Sequence, residues 1–278
     1  MNRAMHSSWR TITYRVCFYL GIALASLLAG VGVVMKQDPK DYSDPVAASF
    51  ITTVKAHAWL IVFVLPLVVI VLELVRKWVG EPWAHKALHK IMDKMRLDVF
   101  KIDGNDPEHD YRVTLFRYQR FHLWAWLFPH CGSRGWHPWS GWLVPVARSG
   151  IITQSSTSVF LAHDSGNVEG IPGLAWIRAD TFEGPENLPA LRKDSKDEEI
   201  KEYAERMWVE AGWIKKRLKA GKVCPLSFLG LRVECKGKPW GVLVLDGKKA
   251  GCISLNTQAY KWWISQCSLV LEEYLERA

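Results

Sequence analysis

The chain opens with two long apolar runs, Val16–Met35 and Ala56–Val75, separated and followed by polar, charged sequence. A helix rises about 1.5 Å per residue, so about 20 residues cross the roughly 30 Å hydrocarbon core of a bilayer. Each run is therefore expected to be a transmembrane helix, and together they predict a two-helix membrane hairpin over residues 1–79. No charge interrupts either run until Glu73, which stands beside Arg76 and Lys77, residues able to partner an interfacial carboxylate. Pro66 in the second run removes a backbone donor and is expected to kink that helix. In the first run Gly21, Ala25 and Ala29 share one helical stripe, and small residues at that spacing let helix backbones approach closely in lipid. They are the expected oligomerisation contacts, within the hairpin or between protomers.

Gly80-Glu81-Pro82 breaks the apolar pattern, after which Ala84, Leu88, Ile91 and Met95 recur at helical spacing. This predicts a juxtamembrane connecting helix over residues 80–100. Residues 101–278 then read as one further domain. Tyr111–Tyr118, Leu143–Ala147 and Ser158–Leu161 have the β-branched and aromatic content of short strands. Ser195–Ala220 predicts a single helix, with a Ser195/Glu198 capping box, acids in the first turn, bases in the last, and an apolar stripe through Ile200, Ala204, Met207, Ala211, Ile214 and Leu218. Leu226–Cys235 alternates, with Leu229, Leu231, Val233 and Cys235 on one face, and turns at Lys236–Pro239 into Trp240–Asp246, which predicts an antiparallel hairpin at the centre of a sheet. A last helix is predicted from Thr257, capped by Asn256, with a seam of Tyr260, Trp263, Cys267, Val270 and Tyr274. The fold class expected is α+β, an antiparallel sheet of about six strands with helices packed on it, preceded by the transmembrane hairpin.

The formal net charge is +8. Basic residues near span ends stay cytoplasmic, and Arg3, Arg10, Arg15 and then Arg76, Lys77, Lys86 and Lys90 flank the two runs on their outer sides. The reading is a multi-pass inner (cell) membrane protein with both termini cytoplasmic and residues 36–55 external. A cleaved signal peptide ending near Ala25 or Gly30 is the competing reading, weighed down by an apolar run that continues past those sites. The excess charge suits an anionic lipid surface, and no nucleic-acid polymer is expected as partner because no binding motif of that kind is present. Six cysteines lack the paired spacing of a disulfide framework, which agrees with a reducing compartment.

Candidate chemistry is sparse. Phe121–Trp142 concentrates Trp124, Trp126, Trp136, Trp139 and Trp142, open to readings as a membrane-docking loop, a pocket wall or core. His130, Cys131 and His137 lie within it without a second ligand pair, so no metal is expected. The glycine-marked segment Gly166–Trp176 lacks both the P-loop order and the dinucleotide-binding spacing. His163-Asp164 has no nucleophile elbow or metal motif beside it, and the chain is expected to be neither an enzyme nor the host of a cofactor.

Two segments bring a family into view. Ser227–Val233 followed by Lys238–Asp246 resembles the last hairpin of GAF domains, and Glu169–Trp176 resembles that family's glycine-rich turn. The resemblance implies a small-molecule sensor module with a pocket between one sheet face and the helices that cover it. The Asn-Lys-x-Phe-Asp-Glu pattern of cyclic-GMP-binding members is absent from the chain. An aromatic-walled pocket with a guanidinium for an anionic group makes Trp142, Phe160, Trp176 and Phe182, with Arg148 or Arg178, the expected ligand-binding residues. The function expected is a membrane-anchored cytoplasmic small-molecule sensor that signals through its spans or a partner protein. Two alternatives stand beside it: a two-span antiphage-defence effector whose nucleotide ligand triggers assembly and membrane disruption, and a ligand-free dimerising scaffold. Expected partners are the lipid bilayer, a small-molecule or nucleotide ligand, and further copies of the chain.

Overall fold

The computed structural model describes residues 2–41, 43–100, 110–122, 138–150, 158–163, 165–178, 181–253 and 271–277. It divides into two compact units, Met1–Trp83 with the last two residues, and Ala84–Glu276.

The first unit is helical. Helix α1, Asn2–Val34, is followed by a short 3₁₀ turn at Pro39–Asp41, then α2, Pro45–Ala56, and α3, Ala58–Val79. Within α1, Thr11–Val34 is by itself long and apolar enough to cross a membrane, and α2 with the helix after it meets that criterion only as a bent pair. The second helical boundary sits at His57, next to the expected start at Ala56, and part of the loop expected over residues 36–55 is the helix α2. Asp44 caps that helix by accepting a hydrogen bond from the Val46 amide, and Pro45 fits its first position because that amide donor is dispensable there. Helix α3 continues through Pro66. Arg76 settles the interfacial charge of the sequence reading: its Nη2 lies 2.5 Å from Glu73 Oε1, and its guanidinium stands over the rings of Tyr14 and Phe18 on α1. The small residues are not what holds α1 to α3. A Cβ on Gly21 would meet nothing within 4 Å, and Ala25 and Ala29 are exposed.

The second unit is α+β, as the alternation of its sequence predicts. Helix α4 is Pro82–Val99. Among the described residues the strands are β1, Tyr111–Gln119; β2, Trp142–Ser149; β3, Phe160–Leu161; β4, Phe182–Glu183; β5, Ser227–Cys235; and β6, Lys238–Gly247. They form one antiparallel six-stranded sheet in the order β3-β2-β1-β6-β5-β4, with the expected hairpin β5-β6 beside the central β1. Helix α5 is Gly170–Ile177, α6 is Asp197–Arg206 and α7 is Ala211–Lys219.

The sheet is buried on both faces. On one lies the main core, which joins Phe116, Leu143, Val242 and Val244 to Ile171, Ala175, Ile200, Tyr203 and Ile214 of helices α5, α6 and α7. Strand period two sends Val113, Leu115, Leu243 and Leu245 to the opposite face, and all four are buried. Helix α4 is tied to β2 by His89 Nδ1, 3.1 Å from the Arg148 carbonyl, and by Arg96 Nε, which donates to Ser149 Oγ. Helical residues 271–277 are held by Trp240, whose indole donates to the Leu275 carbonyl. There the buried positions are Leu271 and Leu275, with Tyr274 half-buried; the rest of the expected seam lies outside the described residues.

One sequence expectation is corrected. Ser195–Ala220 is two helices, interrupted at Met207–Glu210, where Trp208 takes a positive φ of 51°. A bulky residue is rarely found in that left-handed region, and neither glycine nor proline marks the break. The break is held instead by a tertiary bond, from the Gly170 amide to the Trp208 carbonyl, and by the Phe182 ring, 6.2 Å from that of Trp208. The N-terminal cap is also shifted by one residue: Glu199, not Glu198, accepts from the backbone amide of Lys196.

Candidate functional site

Between the sheet and helices α5, α6 and α7 lies a cavity with about 620 Å³ of space free of atoms, part of it open to solvent. Its floor follows from the strand registers. Arg112, Thr114 and Phe116 alternate along β1 toward the cavity; Asp246 pairs with Arg112, and Val244 with Thr114, on β6. Phe228 of β5 continues the Arg112–Asp246 row. The floor is therefore charged at one end and aromatic at the other.

Arg148 reaches this floor through an irregularity in β2. Ala147 pairs with Leu115, yet the next partner, of Phe116, is Pro145, so Val146 is an extra residue. Inserting one residue inverts the facing of everything beyond it. Leu143 consequently shares the cavity side with Arg148, whose Nε lies 3.3 Å from Thr114 Oγ1. By the same parity Trp142 and Val144 face away, into a separate small core with Val159 and Leu161, where the Trp142 indole donates to the Pro138 carbonyl.

The roof is supplied by Gly170, Ile171 and Pro172 at the start of α5, by Met207 and Val209 at the break between α6 and α7, and by Trp213, Ile214 and Arg217 of α7. Helix α5 can lie this close because β5 carries Gly230: a Cβ there would stand 2.6 Å from Ala175 Cβ. Gly170 has a φ of 64°, and a side chain on it would also collide with Phe160, 2.9 Å away.

Four charged side chains line the cavity. Arg112 Nε lies 2.8 Å from Asp246 Oδ2, with the carboxylate nearly inaccessible, and Asp246 Oδ1 has no hydrogen-bond partner. Arg217 is buried at 9% exposure with its guanidinium 4.8 Å from the centre of the Trp213 ring. Burial, then the neighbouring Arg112, draw the Arg217 pKa down from its ordinary value. Cys224 accompanies it: burial pushes the thiol pKa up, while Arg217 acts the other way by charge and hydrogen bond. Tyr203, in the same wall, donates its hydroxyl to the Pro225 carbonyl at 2.7 Å, and burial raises its pKa well above that of a free phenol. Beside the roof, burial lifts the Glu169 carboxyl to about 7, against the hydrogen bond it accepts from the Leu161 amide and with help from Glu210.

Of the six residues expected to contact a ligand, the structure brings Arg148 and Phe160 together at the cavity. Trp176 stacks on Tyr118, with ring centroids 4.2 Å apart and 10° between planes, while Arg178 covers the Phe182 ring at 4.7 Å. Those three residues, like Trp142, lie outside the lining. The sequence reading missed Arg112, Arg217 and Trp213. Arg112 carried a usable signal, being a charge on an otherwise apolar strand; Arg217 did not, because Lys215, Lys216 and Lys219 surround it. No group of three or more metal-ligating side chains occurs among the described residues.

No protein-family model and no curated protein matches this chain. Among solved structures it is similar to the GAF domain of an Acinetobacter phosphoenolpyruvate-protein phosphotransferase, at 16% identity over 69% of this chain and 81% of that one, with a TM-score of 0.35. It is also similar to a type II free methionine-R-sulfoxide reductase from Thermoplasma acidophilum, at 12% identity over 69% and 94% of the two chains, with a TM-score of 0.36. A red/green cyanobacteriochrome in its red light-absorbing state is similar at 13% identity over 70% of this chain and 99% of that one, again with a TM-score of 0.36.

Proposed function

We propose that this chain is a membrane-anchored small-molecule sensor, and that the cavity under α5, α6 and α7 is its ligand site. The observation that carries this reading is the cavity itself, apolar over most of its wall and charged at one end, as ligand sites are.

Anchoring is supported by the apolar span Thr11–Val34 and by the outward surface of α3, where Trp59, Phe63, Leu67, Ile70 and Leu74 are all exposed. An apolar surface of that kind is costly in water and suited to lipid. Two spans with both termini cytoplasmic is the topology the basic flanks favour, and it leaves the sensor on the cytoplasmic side. The sensor has no catalytic role in this reading: its output is a change passed to the spans, to a partner protein or to further copies of the chain.

The test is a thermal-shift screen of the full chain in detergent against a metabolite library, run in parallel on Val209→Trp, which fills the cavity from its roof. The expected result is at least one compound that raises the melting temperature of the wild type and leaves the variant unmoved. Compounds that stabilise both proteins equally would place binding elsewhere and overturn the reading.

A further inference from the structure

Arg217 poses a question of charge. It is buried at 9% exposure, it lines the cavity, and no carboxylate among the described residues lies within ion-pair distance of it. The single carboxylate of the lining, Asp246, is engaged by Arg112. A guanidinium does not shed its proton in a protein, so this charge is present at every physiological pH. Its surroundings compensate it only in part: a cation–π contact with Trp213, a hydrogen bond with the Cys224 thiol, and the charge of Asp246, which Arg112 already engages. The guanidinium carries five N–H donors in a fixed fork, and the residue lines the cavity. The positive field extends outward, since Lys222 has its pKa lowered by burial and then by Arg217, Arg148 and Arg112 in turn.

Position adds to charge. Trp213 lies one helical turn before Arg217 on α7, so the flat ring holds the guanidinium plane in place. Trp213 also meets Phe160 in a T-shaped arrangement, with ring centroids 6.3 Å apart, and Phe160 in turn meets Phe116 edge-on at 5.6 Å. An oriented guanidinium thus stands at the head of an aromatic wall.

We infer that Arg217 is the anion-binding residue of this cavity, and that the ligand class is a small organic acid, a carboxylate or phosphate joined to a flat apolar body that packs on Trp213 and Phe160. The inference rests on the cavity being a ligand site, as proposed above, and adds the chemistry of what enters it. Planar oxyanions are what the guanidinium fork matches in two parallel bonds. Arg148, on the floor, is a further cation of the same lining.

The experiment is isothermal titration of the full chain in detergent with three probes of one body: benzoate, phenyl phosphate and benzyl alcohol. At least one of the two acids is expected to bind at least tenfold more tightly than the alcohol. Arg217→Met, which keeps the apolar stem beneath Trp213, is expected to abolish that preference and leave the alcohol's affinity unchanged, and Arg217→Lys to retain part of it. Which acid binds more tightly distinguishes the carboxylate from the phosphate. Equal binding of all three probes would overturn the anion assignment while leaving the cavity as a site. So would an acid preference that survives in Arg217→Met with an unchanged melting temperature. Absence of binding by all three probes would overturn the assignment as well, and the thermal-shift screen against Val209→Trp decides separately whether the cavity binds anything.

Discussion

Arg112 and Asp246 face each other as register partners on β1 and β6, joined by a 2.8 Å contact from Nε to Oδ2, and both are almost wholly withdrawn from solvent. The pair sits at the charged end of the cavity floor, where removing one partner leaves the other as a buried, uncompensated charge. Asp246→Ala is therefore expected to destabilise the second unit by about 3–5 kcal/mol. The double replacement Arg112→Met with Asp246→Leu is expected to recover most of that loss, since an apolar pair needs no counterion. Chemical denaturation of the two variants beside the wild type checks both outcomes.

Glu169 gives the fold a pH dependence of defined sign. Its folded pKa, about 7, lies above the ordinary carboxylate value of 4.5, so between these two the folded chain holds a proton that the unfolded chain has released. Stability contributed by this group is thus greatest below about pH 4.5 and falls as pH rises to about 7, by an amount on the order of 3 kcal/mol at most. Glu169→Gln keeps an acceptor for the Leu161 amide and carries no charge beside Glu210. It is expected to flatten the stability profile over that window and to be more stable than the wild type at pH 8, as melting curves across pH 4.5–8 would record.

Gly230 sets the height of the cavity roof. A methyl group there would lie 2.6 Å from Ala175 Cβ, far inside van der Waals contact, so α5 would have to lift from β5. Gly230→Ala is expected to cost about 1–3 kcal/mol of stability. It should also weaken ligand binding, because Ile171 and Pro172 of α5 line the cavity. Denaturant titration reads the first effect and the probe titrations read the second.

The small-residue stripe of α1 offers a clean separation of contacts within one chain from contacts between chains. Because a Cβ on Gly21 would meet nothing within 4 Å and Ala25 is exposed, leucine at both positions is expected to leave the packing of α1 on α3 undisturbed. The double variant Gly21→Leu with Ala25→Leu is expected to keep the wild-type melting temperature and to shift the detergent-solubilised protein toward monomer in light-scattering chromatography.

The legibility of the sequence varied with how local the governing interaction is. The hairpin of β5 and β6 could be read because its signals are local: Leu229, Leu231 and Val233 alternate along β5, Val242–Leu245 form a short apolar run on β6, and one tight turn joins the two strands. The same logic found β1, β2 and the positions of most buried residues on α6 and α7. It failed where a distant contact decides local structure. The break at Met207–Glu210 depends on the Trp208 carbonyl accepting from Gly170, a bond between segments far apart in the chain. Trp142 was placed at the ligand and lies behind the sheet, because the extra residue Val146 inverts facing along β2, and nothing in Leu143-Val144-Pro145-Val146-Ala147 announces on which side of the bulge each residue falls. Arg217 looked like one more base in a solvated last turn, and only the neighbouring sheet turns that position inward.

The most direct test of the account is native mass spectrometry of the full-length chain, released from detergent after gentle purification, for the wild type and Val209→Trp side by side. The account predicts that the wild type carries a bound small molecule of anionic character, seen as a mass above that of the 31.7 kDa polypeptide, and that Val209→Trp does not. Both proteins appearing at the bare polypeptide mass, with no adduct formed by the wild type on incubation with an extract of cellular metabolites, would contradict it.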